Sequence, residues 1–143
     1  MKKEKLNEIL EKHKNWIETN GEIGRKANLY EADLYKVSLQ GANLKEAKLI
    51  DANLINANLV GADLRGALLV DSRLRYADLR NANLTGSNLY IADLRGANLY
   101  NAKIESTDLE DVFFKNTKVC QKNYDYLVSK GVNKEKLILV EEE

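Results

Sequence analysis

Residues 27–36 read Ala27-Asn28-Leu29-Tyr30-Glu31-Ala32-Asp33-Leu34-Tyr35-Lys36, two units of five in which a small residue, an Asx residue and a leucine recur in order. The leucine of this unit, its centre, returns every fifth residue from Leu29 to Leu99, and Ile104, Leu109, Phe114 and Val119 continue the phase. That gives nineteen registers without an insertion, sixteen of them Leu. Two residues before each centre stands a small side chain, thirteen times Ala. Self-similarity on this scale decides the architecture before any local propensity does.

A period of five fits neither the 3.6 of a helix nor the 2 of a long strand, so the chain has to bend once per unit to keep its leucines on one side. The small residue and the centre are two apart, which is strand spacing and points both inward. The bend belongs two residues after the centre, where twelve of nineteen positions are Gly, Asn or Asp, the types that tolerate φ > 0. The position between carries Tyr30, Tyr35, Ile50, Ile55, Val60, Val70, Tyr90 and Tyr100 among others, which reads as a pleated strand surface. In twelve registers the residue before the centre is Asn or Asp, whose side chain can satisfy backbone groups left open by a tight turn.

One corner per pentad makes an all-β solenoid whose coils stack at roughly 4.8 Å. Outward residues sort better at four pentads per coil than at three: every twentieth residue gives Tyr30, Ile50, Val70, Tyr90. The tandem Ala-(Asp/Asn)-Leu-x-x from about residue 25 to 121 resembles the pentapeptide repeat family. That resemblance implies a right-handed quadrilateral β-helix, here of about five coils. Ser38, Lys48, Leu68, Arg73, Lys103, Phe113 and Lys118 depart from the Asx position.

The expected organisation is a capping helix within residues 1–24, the β-helix over 25–121, and a C-terminal cap with an acidic tail over 122–143. Residues 3–20 carry Leu6, Ile9, Leu10, His13, Trp16 and Ile17 on one helical stripe, with Gly21 as the stop and Trp16 over Leu29. A His-x-x-Trp segment at this place also resembles leader helices of that family. Tyr124–Lys130 reads as a short helix ended by Gly131, Leu137–Val140 as a strand, and Glu141–Glu143 as a solvated tail. The strand could instead pair with a second chain. The reading favours a monomer, with an isologous dimer through the last coil as its rival.

Charge is balanced, 22 basic against 22 acidic residues, so direct nucleic-acid binding is not expected. No apolar run reaches the length of a membrane span, the start lacks the apolar core of a signal peptide, and there is one cysteine. The expected location is the cytoplasm. His13 and Cys120 fall at opposite ends of the solenoid, which excludes a catalytic pair. Asp51, Asp71 and Asp111 recur at one corner and read as solvated, and the isolated glycines form no phosphate motif. No cofactor and no metal are implied.

Two surfaces remain. Tyr30, Tyr35, Ile50, Ile55, Val70 and Tyr90 form an apolar group, either a partner-binding face or β-formers stacking to steady short strands. Arg65, Arg73, Arg75, Arg80 and Arg95 form a basic group suited to an acidic partner, phosphate or nucleic acid. The interleaved Asp63, Asp71, Asp78 and Asp93 favour a solvated, paired surface instead. The functional expectation is a non-enzymatic module that binds another protein. The alternative comes from the resemblance: some pentapeptide repeat proteins mimic duplex DNA and bind DNA gyrase. Such mimicry needs an acidic rod, whereas residues 25–121 hold thirteen Lys/Arg against twelve Asp/Glu.

Overall fold

A computed structural model describes residues 1–141. From residue 27 onward the chain winds as a four-sided β-helix in which parallel bridges join residues twenty apart. Four ladders arise, for instance Asn28↔Lys48↔Leu68↔Asn88↔Asp108 and Asp33↔Asn53↔Arg73↔Asp93↔Phe113. Each face contributes a single bridged residue per coil, so the ladders are stacks of bridges rather than long strands. Three extended residues between corners leave room for no more.

All eighteen corner residues from Glu31 to Asn116 have positive φ. Six of them are neither Gly nor Asx: Glu31, Lys36, Glu46, Tyr76, Ile91 and Ser106. The solenoid register thus overrides local preference, most plainly at β-branched Ile91 with φ 52°. Each corner is closed by a bond such as Ala32 N–H to the Leu29 carbonyl at 3.1 Å. With φ > 0 only at the second central residue, these are type II turns. Tyr30, Ile50 and their equivalents are therefore the first central residue of the turn, a correction to their reading as strand surface. Their β-forming character suits that place because it is also extended.

The pentad satisfies its own amides, as residues 57–61 show. Ala57 N–H closes the turn onto Leu54 O, Asn58 N–H reaches Val37 O in the coil before, and Leu59 and Gly61 N–H reach Asp78 O and Arg80 O in the coil after. The fifth, Val60 N–H, donates to Asn58 Oδ1 at 3.1 Å. Every Asn or Asp at this position does the same for the residue two ahead, twelve in all. Backbone donors demand partners. The recurrence of Asx before the centre supplies an acceptor for the one donor that turn and stacking leave open.

The interior is a column of leucines and alanines, with Leu44–Leu94 essentially without exposed surface at each centre. Ser72 and Ser87 are buried in alanine positions, and the Ser72 hydroxyl donates to Leu69 O at 2.7 Å.

Helix α1 spans Lys3–Glu18. It ends in a Schellman arrangement: Gly21 N–H bonds Trp16 O at 2.8 Å and Asn20 N–H bonds Ile17 O at 3.3 Å. The left-handed stop is Asn20, φ 51°, one residue before the expected Gly21. The chain then doubles back across α1 at Gly24, where a Cβ would sit 2.1 Å from the Lys12 carbonyl oxygen. The helix buries Leu6 and His13 against the first coil. Trp16, expected over Leu29, is only half-buried and lies beside His13, Lys26 and Gly21.

At the other end, β1 (Thr117–Val119) is followed by α2 (Gln121–Ser129), a short 3-10 turn and β2 (Leu137–Leu139). The helix starts at Gln121 rather than Tyr124 because Cys120, extended, already ends the pentad pattern. It closes on Gly131 as expected, with Val132 N–H to Leu127 O at 3.1 Å. Strand β2 pairs parallel with β1 in the register Thr117↔Leu137, Lys118↔Ile138, Val119↔Leu139, again twenty apart. The chain leaves the solenoid for three sides and rejoins it on the fourth. Of the expected tail, Glu142 and Glu143 lie outside the described residues.

Candidate interaction surface

The solenoid offers its chemistry on the outside, in columns one coil apart. One column runs Tyr30, Ile50, Val70, Tyr90 and Glu110, the next Tyr35, Ile55, Arg75, Arg95 and Lys115. Tyr30 is 52% exposed, Tyr35 50% and Tyr90 38%, while Ile50, Ile55 and Val70 are half-buried between them. A hydrogen bond with Glu31 raises the Tyr30 hydroxyl pKa. Near α1 the second column is apolar, and toward α2 it is basic.

The five arginines divide over three faces. Arg65 and Arg80 lie on two of them, and Arg73, Arg75 and Arg95 share the third. Three belong to an Asp-Leu-Arg pentad, and each of these forms the same fork. Arg65 Nε and Nη2 donate to Asp63 at 2.9 and 2.6 Å, Arg80 to Asp78 at 2.9 and 2.6 Å, and Arg95 to Asp93 at 2.8 and 2.6 Å. Hydrogen bonds from Arg65 and Arg80 lower the pKa of Asp63 and Asp78. Burial pulls Asp93 upward, but the bonds from Arg95, with Arg75 nearby, leave it lowered. Such exposed pairs neutralise charge more than they stabilise.

The pentad Ser72-Arg73-Leu74-Arg75-Tyr76 breaks this rule, since Arg73 stands where its neighbours have Asp. Arg75 Nε is 4.0 Å from Asp93 Oδ2, too long for a hydrogen bond, and is buried without an acceptor among the described residues. Its guanidinium lies 5.6 Å from the Tyr76 ring, and that of Arg95 5.6 Å from the Phe113 ring. Tyr76, 57% exposed, lies over Gly96, the corner glycine one coil on. Tyr76 and Phe113 are surface aromatics that the sequence reading left out of its candidate faces. The signal was present in the corner column, where a glycine follows a tyrosine after twenty residues.

Both ends are supplied by single side chains. His13 Nδ1 accepts from Ala27 N–H at 3.0 Å, replacing the turn carbonyl that no preceding pentad provides. Burial, and then Lys26, lowers the His13 pKa, against weaker opposing effects from the Lys45 backbone and Glu46. At the far end Asn123 Nδ2 donates to Ala102 O at 2.9 Å and Leu99 O at 3.1 Å. Residue 123 is where a further coil would present a backbone amide to Ala102; its side-chain amide does so instead. Cys120 is a free thiol just before α2, at the opposite end from His13. The corner column holding Asp51, Asp71 and Asp111 is interrupted by Ile91, and among the described residues no group of three His, Cys, Asp or Glu could hold a metal ion.

These features match a known family in sequence as well as in form. The family of pentapeptide repeats matches residues 27–66, 47–86 and 77–116, with eight copies of the repeat. The chain belongs to the pentapeptide repeat family. Its fold is that family's right-handed quadrilateral β-helix. Among solved structures it is similar to the pentapeptide repeat protein Rfr23 from the cyanobacterium Cyanothece 51142, at 36% identity and TM-score 0.62, covering 64% of this chain and 62% of that one. It is also similar to HetL from Nostoc sp. strain PCC 7120, described as involved in heterocyst differentiation regulation, at 31% identity and TM-score 0.53, covering 65% of this chain and 49% of that one. This pentapeptide repeat chain thus matches less than two thirds of either relative's length. No curated protein sequence matches it.

Proposed function

We propose that this pentapeptide repeat chain is a non-enzymatic module that binds another protein on the outside of a rigid solenoid. The observation that carries the reading is the pairing of a filled interior with exposed tyrosines in register, Tyr30 and Tyr90 on one column and Tyr35 beside them. Tyrosine presents a large, stiff contact area at small entropic cost, which is why it concentrates at interfaces. The test is capture of partners from the native cell by immobilised protein, repeated with Tyr30→Ser/Tyr90→Ser. Partners held by the wild type and lost by the variant support the reading; no specific partner for the wild type defeats it.

α1 and the α2–β2 segment are read as seals on the two ends of about five coils, giving a monomer. No described helix is long and apolar enough to cross a membrane, and the proposed setting is the cytoplasm. Sedimentation at several concentrations tests the monomer, and a concentration-independent dimer refutes it. Mimicry of duplex DNA toward gyrase ranks second. Asp63, Asp78 and Asp93 are already engaged by arginines, leaving no run of unpaired acid along those faces. Inhibition or protection of gyrase in a supercoiling assay would promote that alternative.

A further inference from the structure

We propose that the face bearing Arg73, Arg75, Arg95 and Lys115 is a docking site for an acidic protein segment, with carboxylates meeting the exposed outer part of the Arg75 guanidinium, whose Nε is buried, and the side of Arg73. The inference rests on the interaction-module reading and names the chemistry of the partner. The same molecule shows three times how this surface receives a carboxylate: Asp63, Asp78 and Asp93 each sit bidentate on the arginine two residues ahead. In the pentad 72–76 the carboxylate is replaced by Arg73, so the fork of Arg75 has lost its local partner and a second cation stands in its place. Arg73 has no ion pair among the described residues, and the one carboxylate on this part of the face, Asp93, is held by Arg95. From Arg73 to Lys115 the face therefore carries four cations against one engaged anion, with Asp33 two coils back on the same ladder and Asp71 and Asp111 on the adjoining corner.

Apolar surface flanks the charges. Phe113 is 53% exposed one coil beyond Asp93, Tyr76 spreads over Gly96, and Ile55 precedes Arg75 in its column. A peptide alternating acidic and apolar side chains, extended across the coils, matches both features. A phosphate backbone matches less well, since Asp93 lies in the middle of the face and the repeat region as a whole is nearly balanced, thirteen Lys/Arg against twelve Asp/Glu.

The probe is a fluorescein-labelled extended peptide alternating Glu and Leu, titrated at low salt and read by anisotropy. Controls are the same peptide with Gln for Glu, and a labelled oligothymidylate. Arg73→Asp restores the Asp-Leu-Arg pattern that three pentads already fold with, so its effect is not one of misfolding. Lys103→Asp is the matched control: it makes nearly the same change of residue and charge at the equivalent position of another face. The expected result is Glu-peptide binding that weakens by about tenfold or more in Arg73→Asp and by less than about twofold in Lys103→Asp. No binding by the wild type, equal binding of the Gln peptide, equal loss in both variants, or tighter binding of the oligothymidylate overturns the proposal. Those results leave partner capture through the tyrosine face untouched, and an empty capture experiment would count against the module itself.

Discussion

Gly96 and Gly61 occupy equivalent corners, at φ 72° and 66°, but their surroundings differ. A Cβ on Gly61 meets nothing within 4 Å, whereas one on Gly96 would stand 2.4 and 2.5 Å from the Cδ1 and Cε1 atoms of Tyr76. Alanine at either corner incurs the left-handed penalty of an L-residue, about 1–2 kcal/mol, lessened slightly by the stiffer unfolded chain. Gly61→Ala should therefore cost about 1 kcal/mol. Gly96→Ala must in addition displace the Tyr76 ring, which is exposed enough to swing away and so loses its place against Arg75, worth about 0.5–1 kcal/mol. The expected total is about 1.5–2 kcal/mol. In a Tyr76→Ser background, which keeps a residue that Ser106 shows to be compatible with the corner, Gly96→Ala should cost no more than Gly61→Ala. Urea unfolding of the four-member cycle reads the coupling directly. Equal costs for the two glycines in the wild-type background, or a coupling below about 0.3 kcal/mol, would refute the placement of the ring.

Other outcomes follow from the same contacts. Asn123→Ala should destabilise by about 1–3 kcal/mol by leaving buried carbonyls at the last coil open, and Asn123→Asp should not restore it because a carboxylate cannot donate; urea midpoints check both. Ala62→Leu should cost about 1–3 kcal/mol or more, and Leu64→Met under about 1.5, since the column has no spare volume at its fully buried alanines; comparable midpoints would mean that Ala62 is not inward. His13 has a lowered pKa in the folded chain, so the unfolded chain takes up the proton first. Its contribution to stability is complete above the unfolded value of about 6.5 and is lost as pH falls through and below it. Unfolding at pH 7.5 and 5.5 should show a drop that is smaller in His13→Gln.

Most of the fold was legible because period five admits few solutions, and the type of residue at each place has a physical cause now visible. Leucine and alanine alternate inward, Asx feeds the one amide the ladder omits, and Gly or Asn eases the corner. What could not be read lies where the repeat leaves no periodic trace. Asn123 is an ordinary residue of a short helix until one sees that it falls at a register position of the absent coil. The strand at Leu137–Val140 and its folding back onto the last coil were legible, but its register with β1 was not, because helix and turn hide the twenty-residue count. Trp16 was misplaced because a stripe on a helix says which side is apolar, not which member reaches the core; His13 did, drawn by the Ala27 amide. On the surface, the arginines could be grouped by sequence but not paired, since the Asp-Leu-Arg fork is a side-chain geometry.

Because one pentad is one side of a quadrilateral, the number of pentads sets a compass bearing as well as a length. Removing five residues from the middle of the chain would turn everything after the cut by a quarter circle while shortening the rod by only about 1.2 Å; removing twenty would restore the bearing and shorten it by about 4.8 Å. The segment between Val119 and Leu137 obeys the same arithmetic, occupying the span of the three sides it replaces. Orientation and reach can therefore be adjusted separately in this architecture. A deletion of one pentad is a rotation of the C-terminal elements relative to Arg73 and Tyr30, and it carries little of the mechanical meaning of truncation.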